Sequence, residues 1–437
     1  MNAIDYFFYI LSEVDSFFWS YVGFVIICVS GLYLTFKSKG EQFRVLFNIR
    51  KNIKMLLADA ATSKEGLHPF KLFFASVGGM IGIGNIVMVG IAVMLGGPGT
   101  IFWMWVASFC GMLIKYSEIY LGVKHRVPNG KGSFNGGPMY YLQDVFKNKF
   151  WAILSAILLC IYGVEVFQFT TLVDRFETTF KFDRDIIVYT LLIATLYSAS
   201  GGINRLANVC AVMMPFFLIS YLIACSYIIF MNISLLPDLI INIFKSAFTG
   251  QAAVGGFAAS TMLHAAYLGT SKAVYSGDIA IGYDSVVQSE TRVLCPINQA
   301  RLSIIALFMD TVICTFSSIT IAITGAWHRM QNFEPSEVMA RIFDEYFPFS
   351  EYFLTAVLFF AGFTTVIAFF VVGTKAAMFL FPKYGKIIYL IYGATSFVFF
   401  ANFPEEKVAI MMNVTSVFLV ILNIVAIIKM RKEIEFK

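Results

Sequence analysis

Long apolar runs alternate with short polar connections along this chain, and most runs are roughly 17 to 25 residues, enough to cross about 30 Å of hydrocarbon as a helix. The pattern predicts spans at 17–36, 70–96, 99–123, 150–172, 185–200, 206–231, 300–326, 351–381, 385–402 and 406–429. A further segment, 237–268, is interrupted by Gly250 and by Gly255-Gly256, and brings the expected total to eleven crossings. The run at 70–96 is interrupted too, by Gly78, Gly79, Gly82, Gly84 and Asn85, and the chain restarts at Gly96-Gly97-Pro98-Gly99. Glycine inside a helix costs about 1 kcal/mol relative to alanine, and unpaired backbone in lipid costs several more unless it lines a cavity. A break at that depth points to a binding site.

Setting aside 17–36 as an additional N-terminal helix, ten spans divide into halves 70–231 and 237–429, each opening on a glycine-interrupted helix. Five spans per half insert the second half in the opposite sense. That is the layout of an inverted repeat whose discontinuous helices meet near the midplane, all within one transmembrane domain, 1–437.

Composition agrees: 59% of residues are hydrophobic and only 14% charged, against roughly 25% charged in soluble domains. Mean hydropathy is +0.77. The seven cysteines form no C-x-x-C pair, so neither a disulfide framework nor a zinc site is expected. No Lys or Arg precedes Lys37, so the first apolar run lacks the basic start of a cleaved signal peptide. The net charge of +5 has a topological reading rather than a nucleic-acid one. With the N-terminus outside, Lys37 to Lys64, Lys124 to Lys149, Arg205, Lys272, Arg292, Lys383, Lys386 and the tail from Lys429 fall in internal loops. The positive-inside rule therefore favours an N-out, C-in chain.

Gly79-Met80-Ile81-Gly82-Ile83-Gly84-Asn85-Ile86, followed by Gly96-Gly97-Pro98-Gly99-Thr100-Ile101-Phe102-Trp103-Met104-Trp105, closely resembles the signature of the alanine/glycine:cation symporters. Asn135-Gly136-Gly137-Pro138-Met139-Tyr140-Tyr141, Gly201-Gly202-Ile203-Asn204-Arg205, Gly255-Gly256-Phe257, Asp310-Thr311 with Cys314-Thr315, and Phe363-Thr364-Thr365 follow in family order. The resemblance implies an all-α polytopic membrane protein of leucine-transporter-like 5+5 fold with an extra N-terminal helix. It also implies a prokaryotic inner-membrane location and uptake of a small neutral amino acid, alanine or glycine, coupled to Na⁺, with H⁺ as the alternative ion. A monomer in the lipid bilayer without a protein partner suffices for that.

The half-helix after Asn85 offers N–H groups and a positive dipole end to a carboxylate. The half-helix ending near Thr249 would turn carbonyls toward an ammonium group or Na⁺. Gly82, Gly84, Asn85, Gly255 and Gly256 are thus candidate substrate contacts. To them the resemblance adds Gln168 and Phe369, the latter standing where a tryptophan is usual. For sodium it implies Thr364 and Thr365, with backbone carbonyls near Gly79 and Gly82.

Glu165, three residues before Gln168 and on the same helical face, could serve a proton, a substrate ammonium or an ion pair near the membrane surface. Lys115 and Glu118, three apart, read as a structural ion pair. Asp310 is too deep to reach the interface and needs a partner or water, and His264 reads as a buried histidine held by backbone. No second titratable group stands beside either at catalytic spacing, so an enzyme is not expected. A channel would need rings of charge or a repeated filter sequence, and a transporter-derived sensor is the remaining rival.

The departures from the family are specific. Met80 and Ile83 stand where threonines are usual, and Lys272-Ala273-Val274-Tyr275-Ser276-Gly277-Asp278-Ile279-Ala280 replaces an internal Arg-Gly-x-Phe-Ser-Asn-Glu-Ala-Gly motif. A pocket stripped of two hydroxyls suits a more apolar amino acid or a changed coupling.

Overall fold

Apolar runs bounded by polar capping residues set the helices. The computed structural model describes residues 3–130, 132–249, 262–333 and 337–437. Helix α1 (Ala3–Phe17) passes through a π-helical segment (Phe18–Gly23) into α2 (Phe24–Ser38), and two short helices, α3 (Glu41–Phe47) and α4 (Ile49–Ala60), follow. Next come α5 (Pro69–Met80) and α6 (Val87–Gly96), then α7 (Gly99–Lys124). A two-residue hairpin, β1 (Val127–Pro128) with β2 (Phe134–Asn135), leads to α8 (Pro138–Phe146), α9 (Lys149–Tyr162), α10 (Val166–Phe180), α11 (Arg184–Ser200) and α12 (Gly202–Met231). The second half holds α13 (Leu236–Thr249), α14 (Met262–Gly277), α15 (Tyr283–Gln288) and α16 (Pro296–Ile323). It ends with α17 (Ala326–Arg329), α18 (Val338–Tyr346), α19 (Ser350–Leu380), α20 (Gly385–Phe400) and α21 (Glu405–Lys429).

Local sequence explains many of the boundaries. Proline occupies the first turn of α5, α8 and α16, where its missing N–H costs nothing. Asp183 caps α11 by accepting from the Asp185 and Ile186 N–H groups, and Asn148 caps α9 through Phe150 N–H.

Among the described residues, seven helices or near-continuous helical rods are long and apolar enough to cross a bilayer, and the bent pair α5 and α6 makes an eighth span. Helices α11, with 17 residues, and α20, with 16, are shorter. The chain is an all-helical polytopic membrane protein. Its long helices are not equivalent: the apolar stretches of α7 and α19 are 89% and 83% buried, that of α12 only 39%. The first two form the interior, with α14, α15, α16 and the broken α5 and α6 packed around them.

A further break follows the expected second interruption. Gly250, Gly255 and Gly256 lie outside the described residues, and helix resumes at Met262 and runs unbroken to Gly277. The chain then leaves helix at 278–282, with φ of +47° at Asp278, +61° at Ala280 and +98° at Gly282, before α15 begins. Every residue from Ala273 to Glu290 is buried, so the segment taken for an internal loop is a second broken helix inside the protein. Lys272, counted as an internal-loop charge, is half-buried on α14. Polar residues in the motif disguised the segment, because its hydropathy is that of a loop.

Close approach of α7 to α14 depends on Gly269, whose hypothetical Cβ would lie 2.6 Å from the Thr100 carbonyl oxygen and 3.0 Å from Met104 N. Gly269→Val should force the two helices apart and lower stability by about 1–3 kcal/mol, the usual cost of overpacking. A melting curve of the detergent-solubilised variant checks this; an unchanged midpoint would show that the contact is slack.

Candidate functional site

Helices α5 and α6 meet at a 60° bend. Between them Ile81 and Gly82 are extended and Ile83–Asn85 form a single 3₁₀ turn. The glycines here serve close packing rather than left-handed backbone, since Gly82 has φ −121°. A Cβ on Gly82 would fall 2.6 Å from Thr365 Oγ1 and 2.8 Å from Gln168 Nε2. The broken strand is thereby pressed between α10 and α19.

Side-chain amides satisfy the N–H groups freed by the break. Gln168 Oε1 accepts from Ile83 N–H at 2.8 Å, and Asn85 Oδ1 accepts from Gly82 N–H at 3.0 Å. The Asn85 amide N–H₂ donates to Asp310 Oδ1 at 2.5 Å and to Cys314 Sγ at 3.2 Å. Asp310 therefore finds its partner on the broken helix, with Ser276 Oγ 3.5 Å from its other oxygen.

A small cavity of about 10 Å³, room for a single water, lies against the two breaks, lined by Gly79, Met80, Gly84, Asn85, Glu165, Gln168, Tyr275, Ser276, Asp278, Thr365 and Phe369. Its wall includes both interrupted helices, the α9–α10 junction and α19. Phe369 is held edge-on by Tyr162 at 5.2 Å and stacked on Tyr283 at 4.3 Å. Of the candidate substrate contacts, Gly84, Asn85, Gln168 and Phe369 reach this cavity, and Gly82 packs directly behind it. Glu165 sits in the wall, 2% exposed and, among the described residues, without an ion pair within 4 Å, not at a membrane surface. Sequence reasoning passed over Tyr275, Ser276 and Asp278. The sequence showed them only as part of the 272–280 segment that departs from the family motif.

Oxygens converge next to the cavity. Thr365 Oγ1 lies 3.1 Å from the Gly78 carbonyl oxygen and 3.0 Å from that of Ala361, and Thr364 Oγ1 lies 2.9 Å from the same Ala361 oxygen. The contributing glycine is Gly78, whereas Gly79 faces the Tyr283 hydroxyl. Thr364 also touches Met214 Sδ at 3.4 Å.

Lys115 and Glu118 do not pair with each other. Lys115 Nζ is 2.7 Å from Asp284 Oδ2 and donates to the carbonyls of Gly277 at 2.6 Å and Asp278 at 3.3 Å. Glu118 Oε1 instead accepts from Ser285 N–H at the start of α15, where a carboxylate complements the helix dipole. Outside the spans, the Arg126 guanidinium binds the carbonyls of Ser289, Thr291 and Val293. Burial lowers it to about 10, which leaves it charged at neutral pH.

A model of the sodium:alanine symporter family matches residues 5–435. The chain belongs to that family. Among relatives of this symporter, a Haemophilus influenzae protein described as an uncharacterized transporter is 33% identical over 73% of this chain and 70% of its own. The sodium/alanine symporter AgcS of Methanococcus maripaludis is 27% identical over 87% and 85% of the two chains. The probable sodium/glutamine symporter GlnT of Bacillus subtilis is 28% identical over 73% and 66%.

Solved structures agree in fold. MhsT in complex with L-phenylalanine superposes with a TM-score of 0.58 at 14% identity, over 82% of this chain and 88% of that one. A manganese transporter of Eremococcus coleocola gives 0.50 at 11% identity, over 85% and 76%. The symporter therefore has the leucine-transporter-type architecture, and it is a transporter rather than an enzyme.

Removing Lys115 leaves the Asp284 carboxylate buried without a counter-charge, a change that typically costs about 3–5 kcal/mol. Lys115→Ala should melt well below the parent protein in detergent. An unaltered melting point would mean that the Lys115–Asp284 contact contributes nothing to the fold.

Proposed function

We propose that this symporter imports a small neutral amino acid, alanine or glycine, together with Na⁺, by alternating access about the two helix breaks. The observation that carries this reading is the juxtaposition of an amide-rich helix break with the oxygen cluster of Gly78, Ala361, Thr364 and Thr365. Hydroxyl and carbonyl oxygens are hard, uncharged donors suited to a small monovalent ion, here carried as cargo. The substrate carboxylate would take over the N–H groups that Gln168 and Asn85 now satisfy. The charge distribution supports an N-out, C-in orientation in a bacterial-type plasma membrane, and a single chain contains the whole site.

Liposome reconstitution under an inward Na⁺ gradient tests the reading. Labelled alanine or glycine should accumulate, and collapsing the gradient should stop it; binding without accumulation would instead identify a sensor. Asn85→Ala should raise the alanine concentration for half-maximal uptake by roughly tenfold, the worth of a charge-assisted hydrogen bond. Thr365→Val should act on the other ligand, raising the Na⁺ concentration for half-maximal uptake by about tenfold with little change in protein yield. Equal Na⁺ dependence in both proteins would remove the oxygen cluster from the ion's path.

A further inference from the structure

The cavity wall is electrically one-sided. Glu165 and Asp278 both line it, each only 2% exposed. No Lys, Arg or His stands among the lining residues. Among the described residues, Glu165 Oε2 and Asp278 Oδ2 are buried with no hydrogen-bond partner within 3.5 Å, and the Tyr275 hydroxyl stands beside Glu165 and Gln168 in the same wall. Lys115, the cation nearest to Asp278, is committed to Asp284 and to backbone carbonyls. Buried polar groups are ordinarily paired, and an uncompensated buried carboxylate is among the most costly features a protein can carry. Two such carboxylates in one cavity wall, with a phenol oxygen beside them, point to a ligand that supplies donors.

Backbone geometry gives an independent reason to regard the pair as built. Glu165 at the α9–α10 junction and Asp278 at the α14–α15 break both have left-handed backbone, at φ +51° and +47°. Among the described residues, the other buried non-glycine residue with positive φ is Ala280, in the same break. Left-handed backbone is disfavoured for a side chain with a Cβ and clusters at functional sites. Here it places a carboxylate from each of two helix junctions into one wall.

The donor set selects the ligand. Two carboxylate oxygens and a phenol make three acceptors, matching the three N–H groups of a primary ammonium. A calcium-like ion would require six or more oxygens, and no group of three or more His, Cys, Asp or Glu residues able to hold a metal occurs among the described residues. We propose that Glu165, Asp278 and Tyr275 form an ammonium-binding pole of the substrate cavity, separate from the oxygen cluster at Thr365. The ammonium comes either from the α-amino group of alanine or from the side chain of a short diamino acid. This rests on the amino-acid symport reading for the cavity's identity, while the interaction itself is measured by binding, without transport.

Purified full-length protein in nanodiscs, titrated with alanine, 2,3-diaminopropionate and propionate at fixed Na⁺, distinguishes the sources. Propionate, lacking any amine, should bind far more weakly than alanine. If the α-amino group occupies the pole, Glu165→Gln should weaken alanine by roughly tenfold to a hundredfold, the loss of a charged hydrogen bond. If a side-chain ammonium occupies it, 2,3-diaminopropionate should bind the parent protein more tightly than alanine, and Glu165→Gln should abolish that excess while sparing alanine. Asp278→Asn should repeat whichever pattern is seen and serves as the second variant should Glu165→Gln not fold, as judged by its melting curve. Parent-like binding of both amino acids by both variants overturns the proposal, as does propionate binding equal to alanine, or no binding of either amine by the parent protein. Intact, Glu165-dependent binding without Na⁺-driven uptake would sink the transport reading and leave the pole standing.

Discussion

One buried lysine organises the interior. Lys115, on the most deeply enclosed of the long helices, joins Asp284 and the carbonyls that α14 exposes where it ends. Asp284 in turn accepts from Ser76 on α5 at 2.5 Å, and Tyr283 donates to the Ala75 carbonyl at 2.8 Å. A single ammonium thus ties α7 to the second break, and the residues beside it tie the second break to the first broken helix. In a low-dielectric interior such a group is stable only if its donors are fully used, and that requirement brings α5, α7, α14 and α15 into register. The cavity forms where their interrupted backbones face each other.

Breaking two helices in lipid frees backbone groups that water cannot satisfy. The first break is closed by amides, through Gln168 and Asn85, and the second by charge, through Lys115 at its carbonyl end and Glu118 at the following N-terminus. The side chains that satisfy the interrupted backbone are thus also those that stand around the cavity. Behind the cavity, Lys375 pairs with Glu290, Leu67 bridges Thr291 and Arg126 holds 289–293. These contacts draw the end of α15, the start of α5 and the loop after α7 together.

The first break was legible because it is written in glycine, within a run whose flanks are purely apolar. The interruption expected at Gly255 and Gly256 lies outside the described residues, and the break at Asp278, Ala280 and Gly282, in left-handed backbone, escaped a search that used glycine density as its criterion. Its polar residues, together with Lys272, made a buried segment look like a loop. Lys115 and Glu118 illustrate the limit of spacing: i and i+3 places two charges on one helical face, but a third charge from another helix can outcompete the neighbour, and Asp284 does. Glu165 was legible as an intramembrane acid; whether it met a surface, a cation or a cavity depended on a helix junction that hydropathy does not reveal.

The sequence alone determined the solvent, the helical class, the first interrupted span and the family, because apolar run length, glycine interruptions and motif order are local properties of the chain. Tertiary structure decided which break faces which, that Gly78 rather than Gly79 meets Thr365, that Lys115 serves Asp284, and that Glu165 and Asp278 share one cavity wall. The reason is physical: a buried polar group is satisfied by whatever donor or acceptor the packing brings within about 3 Å, and those partners here lie as far as 287 residues apart in the chain.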